Sequence, residues 1–233
     1  MTRRANLIFV DVDTQFDFCD ERGTLRVPGA PNDVFRRLTT FAVAERIPIV
    51  GSVDSHAWDA WEFASSERAG PGGERPGFPD HCVKGTAGWL KVAGTLPPRF
   101  RFVPNVPEMA VEVPDEVRSR GFEPWVAELV GRKMHAVYFE KEVYSFFANP
   151  LAEPFLARLV ESLSDDGAPE FVVYGVATDY CVKAAALGLR QRGYACRLLL
   201  DGVAGITPAG SQAAVDEMKR AGVQLGRAAE LVG

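Results

Sequence analysis

Short, mostly apolar runs of residues alternate along the chain with stretches of helical spacing. The runs are Leu7–Val12, Ile47–Val53, Ala136–Phe139, Phe171–Tyr174, Cys196–Leu200 and a weaker Val223–Leu225. Runs of this length without polar alternation are typical of strands buried on both faces. Helices are predicted between them at Pro31–Arg46, Glu123–Arg132, Pro150–Leu163, Asp179–Arg192 and Pro208–Ala221. The alternation predicts an α/β fold with six strands in a mostly parallel, Rossmann-like sheet.

Two stretches interrupt this alternation. Ser65–Pro79 is rich in Gly, Pro and charge, and we predict a loop there. Leu90–Arg118 contains several prolines and short apolar pieces, which predict an insertion with minor strands around residues 90–123. The length of 233 residues fits one domain, so we predict a single domain over 1–233.

Composition narrows the classes of partner. The net charge of −5 disfavours nucleic acid and acidic membrane surfaces. No apolar run reaches the length of a membrane span, and the N-terminus lacks the apolar region of a signal peptide, so we expect a cytoplasmic protein. The four cysteines form no CxxC pair, which disfavours a disulfide scaffold or a cysteine-rich zinc site.

The segment Val173–Lys183 contains a candidate nucleophile, Cys181. It predicts a buried strand, a tight glycine turn and a helix that starts at Thr178. In the first turn of that helix, free N–H groups and the helix dipole would stabilise a thiolate. The alternative is that Cys181 is simply a small buried side chain.

Polar residues stand at the ends of four predicted strands. Asp13, Asp54, Lys141 and Cys181 each follow or end a different strand, and parallel strands present those ends at one edge of the sheet. A lone Asp there is usually a cap or turn residue, but four chemically distinct groups favour a site. Asp13 would accept the thiol proton, Lys141 would stabilise the charged forms, and peptide N–H groups around Val176–Ala177 would face an oxyanion. This set suits acyl transfer on a carbonyl.

A second group has the chemistry of metal ligands. Asp54 and His56 are separated by one residue, and His81 follows in a polar loop. An aspartate with two histidines suits Zn, Fe or Mn, with waters in the open positions. Glu62 and Glu67 are possible further ligands.

Five segments together resemble the isochorismatase-like cysteine hydrolases, and among them the nicotinamidases. They are Val10–Phe18, Asp54–His56, Phe78–Gly88, Phe139–Lys141 and Gly175–Val182, and they occur in the order that the family shows. The resemblance implies a three-layer α-β-α, isochorismatase-like fold around a six-stranded sheet.

The resemblance also implies roles for individual residues. Asp13, Lys141 and Cys181 match the catalytic positions of the family. A cis peptide at Val176–Ala177 and an oxyanion hole from the amides of Ala177 and Cys181 are implied as well.

For the substrate side, the resemblance implies that Asp54, His56 and His81 bind a divalent metal ion (Zn, Fe or Mn) that contacts a pyridine nitrogen. Phe18 and Phe78 are expected to contact the substrate ring. The departures from the family pattern lie near this pocket, where Phe78 replaces a tryptophan.

Three hypotheses about function follow. The first is a metal-dependent nicotinamidase that acts through a Cys181 thioester and releases ammonia from nicotinamide. The second is a hydrolase of the same family acting on another small amide, of carbamoyl, ureido or maleamate type. The third is a non-catalytic binding protein on the same fold. In each case the partner is a small molecule, with no nucleic acid and no membrane, and a homo-oligomer is possible.

Overall fold

The structure is a computed structural model that describes residues 6–105 and 121–232. Seven strands form one sheet in the order β3-β4-β2-β1-β5-β6-β7, and every neighbouring pair is parallel. The strands are β1 Leu7–Val12, β2 Ile49–Asp54, β3 Phe100–Val103, β4 Ala136–Lys141, β5 Glu170–Val176, β6 Ala195–Ala204 and β7 Gln224–Gly226. The predicted α/β class is confirmed.

The helices fill the connections between strands. They are α1 Phe16–Cys19, α2 Asn32–Glu45, α3 Glu123–Val130, α4 Ala152–Leu163, α5 Lys183–Gln191, α6 Pro208–Arg220 and α7 Ala229–Val232, with a π-helical turn at Thr178–Val182 and 3-10 turns at Pro71–Gly73, Phe146–Ala148 and Ser164–Asp166. The start of α6 shows why its sequence is helical. Pro208 occupies the first turn, and the Thr207 hydroxyl accepts a hydrogen bond from the Gly210 N–H at 3.0 Å.

The two faces of the sheet are covered by separate hydrophobic clusters. Ile8, Val10 and Val12 of β1 pack in the cluster that includes side chains of α3 to α6. Phe9 points to the opposite face and packs in the cluster that includes Phe35 of α2. Each fully buried side chain of this kind contributes roughly 1.5–3 kcal/mol. Burial on both sides explains why the strands are mostly apolar runs.

The predicted strand count of six is wrong, because the insertion supplies a seventh strand. Phe100–Val103 forms β3 and pairs with β4 at the edge of the sheet, with Phe100 opposite Ala136. An edge strand has only one neighbour and is partly exposed, here 37% at Phe100, so it needs no continuous apolar run. Residues 106–120 of the predicted insertion lie outside the described residues.

The helix predicted from Thr178 has a different first turn. Thr178–Val182 is π-helical, and regular α-helix begins only at Lys183. π-Helical turns are rare and occur often at functional sites. Among the described residues, no helix has the length and apolar character needed to cross a membrane.

Candidate active site

The predicted groups meet at the carboxyl edge of the sheet. Asp54 and Lys141 are the last residues of β2 and β4 and are paired in the parallel register. Asp13 follows β1, and Cys181 lies in the π-helical turn after β5. The backbone of Asp13 is left-handed, with φ of 48°, so its side chain departs from the alternation of the strand. All four side chains are buried.

Lys141 contacts the other three residues of this group. Its Nζ lies 2.9 Å from Asp13 Oδ2 and 3.5 Å from Cys181 Sγ, and it donates a hydrogen bond to Asp54 Oδ1. One ligand atom from each of Asp13, Asp54 and Cys181 lies within 4.8 Å of the others. Besides this ion pair, the Asp13 carboxylate has the Ser52 hydroxyl and the Cys181 thiol as neighbours. The Asp13 carboxylate is therefore placed to accept a proton from the thiol.

Burial dominates the protonation states of this group. It raises the pKa of the Cys181 thiol well above its ordinary value, against the opposing charge of Lys141. It also raises the pKa of Asp13, again opposed by Lys141. Burial works to raise the pKa of Asp54 too, but Lys141 and His56 lower it below its usual range. Desolvation therefore opposes a Cys181 thiolate more strongly than Lys141 favours one, so the sulfur needs a proton acceptor beside it.

Lys141 itself stays charged. Burial works to lower the pKa of its ammonium, but Asp13 and Asp54 raise it well above the ordinary value. A fixed positive charge therefore lies beside the Cys181 sulfur, where it would stabilise a thiolate formed during a reaction.

The turn after β5 brings Cys181 to this point. Gly175 has φ of 124°, and a Cβ there would lie 2.0 Å from the carbonyl oxygen of Val12, so only glycine fits. The Val176–Ala177 peptide is cis, as the resemblance implies.

Asp179 anchors the same turn to the next connection. Its carboxylate accepts hydrogen bonds from the N–H groups of Ile206 at 3.0 Å and Thr207 at 3.1 Å. Both predicted oxyanion-hole residues, Ala177 and Cys181, border the cleft described below. The oxyanion role of their amides stays a prediction.

The predicted metal ligands form a second buried cluster beside the first. Ligand atoms of Asp54, His56 and His81 lie within 4.8 Å of one another. Glu62 Oε1 lies 2.7 Å from His56 Nε2 and 3.3 Å from His81 Nε2. All four residues are buried. Glu67, the other suggested ligand, is exposed and lies outside the cluster.

The donor chemistry of this cluster fits a divalent metal ion. His81 Nδ1 lies 2.8 Å from the Pro79 carbonyl oxygen, which only accepts, so Nδ1 is the donor in this contact and Nε2 is the ring nitrogen directed at Glu62. Burial opposes a charge on His56, but Asp54 and Glu62 raise its pKa to about 9. The cluster therefore attracts positive charge, and its imidazole and carboxylate donors suit Zn, Fe or Mn.

Two polar side chains near the start of the chain hold this edge together, and no role is predicted for either from sequence. Gln15 donates to the Asp54 carbonyl at 2.8 Å and accepts from the Asp54 N–H at 2.7 Å. Asp17 Oδ2 accepts from the N–H of Cys82 at 2.8 Å, next to the third metal candidate. Their only signal in the sequence is that they are polar residues within the matched segment Val10–Phe18.

A cleft that opens to solvent connects the two clusters. Cys181 borders it, and both predicted substrate contacts, Phe18 and Phe78, lie in its wall. Their rings lie 5.3 and 6.2 Å from the His81 ring. The other wall residues that sequence did not indicate are Leu25, Val27, Tyr144, Tyr180 and Ile206. An aromatic and aliphatic wall around one polar end suits a small planar molecule.

Comparison with known proteins agrees with this geometry. The isochorismatase domain model matches residues 99–230. The nicotinamidase of Escherichia coli (strain K12) is 30% identical over 97% of this chain and 95% of its own length. Two solved structures are each 25% identical: the pyrazinamidase of Pyrococcus horikoshii in complex with zinc (TM-score 0.62, covering 95% of this chain and 99% of that one), and PnC1 from L. infantum in complex with nicotinate (TM-score 0.64, covering 97% and 94%).

The parallel sheet, with a cysteine, an aspartate and a lysine gathered at its carboxyl edge, defines the class of protein. The chain belongs to the isochorismatase family. Within that family it falls in the nicotinamidase branch and is a hydrolase acting on amide C–N bonds.

Proposed function

We propose that this protein hydrolyses nicotinamide to nicotinate and ammonia through a thioester on Cys181. The observation that carries the proposal is that one small cleft is bordered by both buried clusters. The Cys181 thiol lies at hydrogen-bond distance from Lys141, while Asp54 and His81 border the same cleft. That a nucleophile and candidate metal ligands border the same cleft supports a reaction on one small molecule held between them.

In the first step, Asp13 accepts the proton of the Cys181 thiol as the sulfur attacks the amide carbonyl carbon. The raised pKa of Asp13 suits it to hold that proton. The charge that develops on the carbonyl oxygen is stabilised by the amides of Ala177 and Cys181. Lys141 stabilises the sulfur while it is anionic.

The second step breaks the C–N bond. The proton held by Asp13 passes to the departing nitrogen, ammonia leaves, and an acyl group remains on Cys181 as a thioester. Asp13 then takes a proton from a water molecule that attacks the thioester carbon. The tetrahedral intermediate then collapses: the C–S bond breaks, the proton held by Asp13 returns to the sulfur, and nicotinic acid leaves and gives its own proton to the ammonia. The sum is one amide and one water converted to one carboxylate and one ammonium ion.

Asp54, His56 and His81 would hold the divalent metal ion, with Glu62 as a further carboxylate. When bound, the ion supplies a Lewis-acid contact for a pyridine nitrogen. Phe18 and Phe78 would then flank the ring. The zinc complex of the Pyrococcus horikoshii relative and the nicotinate complex of the L. infantum relative support these assignments.

Ammonia release from nicotinamide by the zinc-loaded protein tests the proposal. We expect release by the parent, none above background by Cys181→Ala, and unimpaired release by Cys196→Ala, a buried cysteine on β6 that serves as the matched control. Mass spectrometry of the acid-quenched reaction should find a nicotinoyl group on the peptide that contains Cys181.

Two results would contradict parts of the proposal. Full turnover by Cys181→Ala would exclude the thioester. No release by the folded, metal-loaded parent would exclude nicotinamide and direct the search to carbamoyl, ureido and maleamate-like amides.

A further inference from the structure

A second aspartate–lysine pair is buried near the catalytic segment, and the mechanism above does not use it. Lys91 Nζ lies 2.9 Å from Asp11 Oδ2, and the two side chains are 1% and 0% exposed. Tyr138 of β4 closes the pair, because its hydroxyl lies 3.4 Å from Asp11 Oδ2 and its ring centre lies 4.4 Å from the Lys91 ammonium. Neither Asp11 nor Lys91 borders the cleft. Two charges are therefore desolvated where they do not contact substrate.

Thr14 connects this pair to the residue that follows Asp13. The Thr14 hydroxyl donates to Asp11 Oδ1 at 2.9 Å and accepts from Lys91 Nζ at 2.7 Å. The Thr14 carbonyl accepts from the Val92 N–H at 3.0 Å. Both the side chain and the backbone of Thr14 are thus held by the segment around Lys91.

The orientation of Asp13 depends on its backbone as well as on Lys141. The ammonium of Lys141 lies 2.9 Å from the Asp13 carboxylate, but the φ of Asp13, 48°, lies in the left-handed region. Aspartate tolerates that region but does not favour it, so the neighbouring residues have to maintain it. On one side the Asp13 N–H donates to the Ser52 carbonyl at 3.2 Å. On the other side, Thr14 is held by the Asp11–Lys91 pair.

We propose that the Asp11–Lys91 pair is a positioning device for Asp13, acting through Thr14. The proposal rests on the proposed function, in which Asp13 accepts the Cys181 proton. A buried ion pair is a poor means of adding stability, since well-packed apolar residues of similar volume often serve as well. What apolar residues cannot supply is a donor and an acceptor that fix one hydroxyl in one place. The pair therefore sets the geometry of the segment that carries the base.

The experiment separates positioning from stability with a paired replacement. Asp11→Leu/Lys91→Met removes both charges and leaves none unpaired, and Thr14→Val removes only the hydroxyl between them. The control is Glu170→Leu/Arg197→Met. It removes a 2.9 Å ion pair near the amino ends of β5 and β6, away from the carboxyl ends where Asp13 lies. All proteins are studied with zinc bound, and folding is checked by circular dichroism and thermal melting.

Two readouts are compared. One is kcat and KM for nicotinamide. The other is the rate constant for alkylation of Cys181 by iodoacetamide, which reports how well Asp13 takes the thiol proton and needs no turnover. Asp13→Asn sets the rate of alkylation without the base.

We expect Asp11→Leu/Lys91→Met to lower both kcat and the alkylation rate at least five-fold, toward the alkylation rate of Asp13→Asn. KM and bound zinc should stay within two-fold of the parent, Thr14→Val should change in the same direction, and the control pair should change neither rate.

Parental rates in the folded variants would overturn the proposal and leave the pair a role in stability alone. If the double variant does not fold, Thr14→Val decides in the same way. If the parent does not release ammonia, the proposed substrate fails while the alkylation rates still decide the positioning role.

Discussion

Two aspartates, two residues apart at the end of the central strand, each pair with a buried lysine, and the two pairs differ in the groups that surround the carboxylate. Asp11 accepts from Thr14 and Tyr138 in addition to Lys91. The Asp13 carboxylate pairs with Lys141 and lies beside the Cys181 thiol. The partners of Asp11 fix its carboxylate in place, whereas Asp13 has a neighbouring thiol from which it can take a proton. The same residue types thus serve structure in one pair and, we propose, chemistry in the other.

The separation of the two pairs comes from the backbone. Side chains two apart in a strand face the same side, so Asp13 would share the face of Asp11 if β1 continued. The strand ends at Val12 and the left-handed turn at Asp13 breaks the alternation, which brings its carboxylate to Lys141.

The largest difference between the pairs should appear in catalysis. Asp13→Asn keeps the size of the side chain and removes the base, so kcat for nicotinamide should fall roughly 10²- to 10⁴-fold. Asp11→Asn keeps an oxygen that accepts from Thr14, so its kcat should fall far less. Steady-state kinetics on zinc-loaded proteins measures both. Equal losses in the two variants would mean that the pairs are not functionally distinct.

The next largest difference should appear in stability, where the Asp11–Lys91 pair should contribute more than the Asp13–Lys141 pair. Lys91→Met leaves the buried Asp11 carboxylate without its counter-charge, which should lower the free energy of unfolding by about 3–5 kcal/mol. Lys141→Met should cost less, because the raised pKa of Asp13 lets that carboxyl take up a proton, and the bound metal ion supplies a counter-charge for Asp54. Guanidinium unfolding of both metal-loaded variants measures the difference. A larger loss for Lys141→Met would contradict the expectation that stability depends more on the Asp11–Lys91 pair.

The smallest effect is expected for Tyr138, which contacts the Asp11–Lys91 pair. Tyr138→Phe removes a hydroxyl that lies 3.4 Å from Asp11 Oδ2 and 3.3 Å from the Thr95 carbonyl oxygen. Because these contacts are long and Lys91 remains, the loss should be about 0.5–1.5 kcal/mol, measured by the same unfolding experiment. A loss as large as that of Lys91→Met would show that the tyrosine, rather than the lysine, is the main partner of Asp11.

The sequence by itself determined most of the strands and helices. It also determined the edge of the sheet at which the reactive side chains meet. Buried strands need apolar residues on both faces, so β1, β2, β4 and β5 are visible as local runs, and the polar residues at their ends have to meet. β3 lies in the insertion for which minor strands are predicted, but its bounds and its place in the sheet were not predicted, because a short edge strand lacks that requirement.

Only the tertiary structure decided which charged side chains form pairs and in which direction burial shifts their pKa values. It joined Asp11 to Lys91, brought Glu62 rather than Glu67 to the histidines, and buried Cys181 so that the pKa of its thiol is raised. The physical reason is that a strand or helix follows from neighbours along the chain, whereas ion pairing and desolvation depend on atoms that meet only when distant segments pack together.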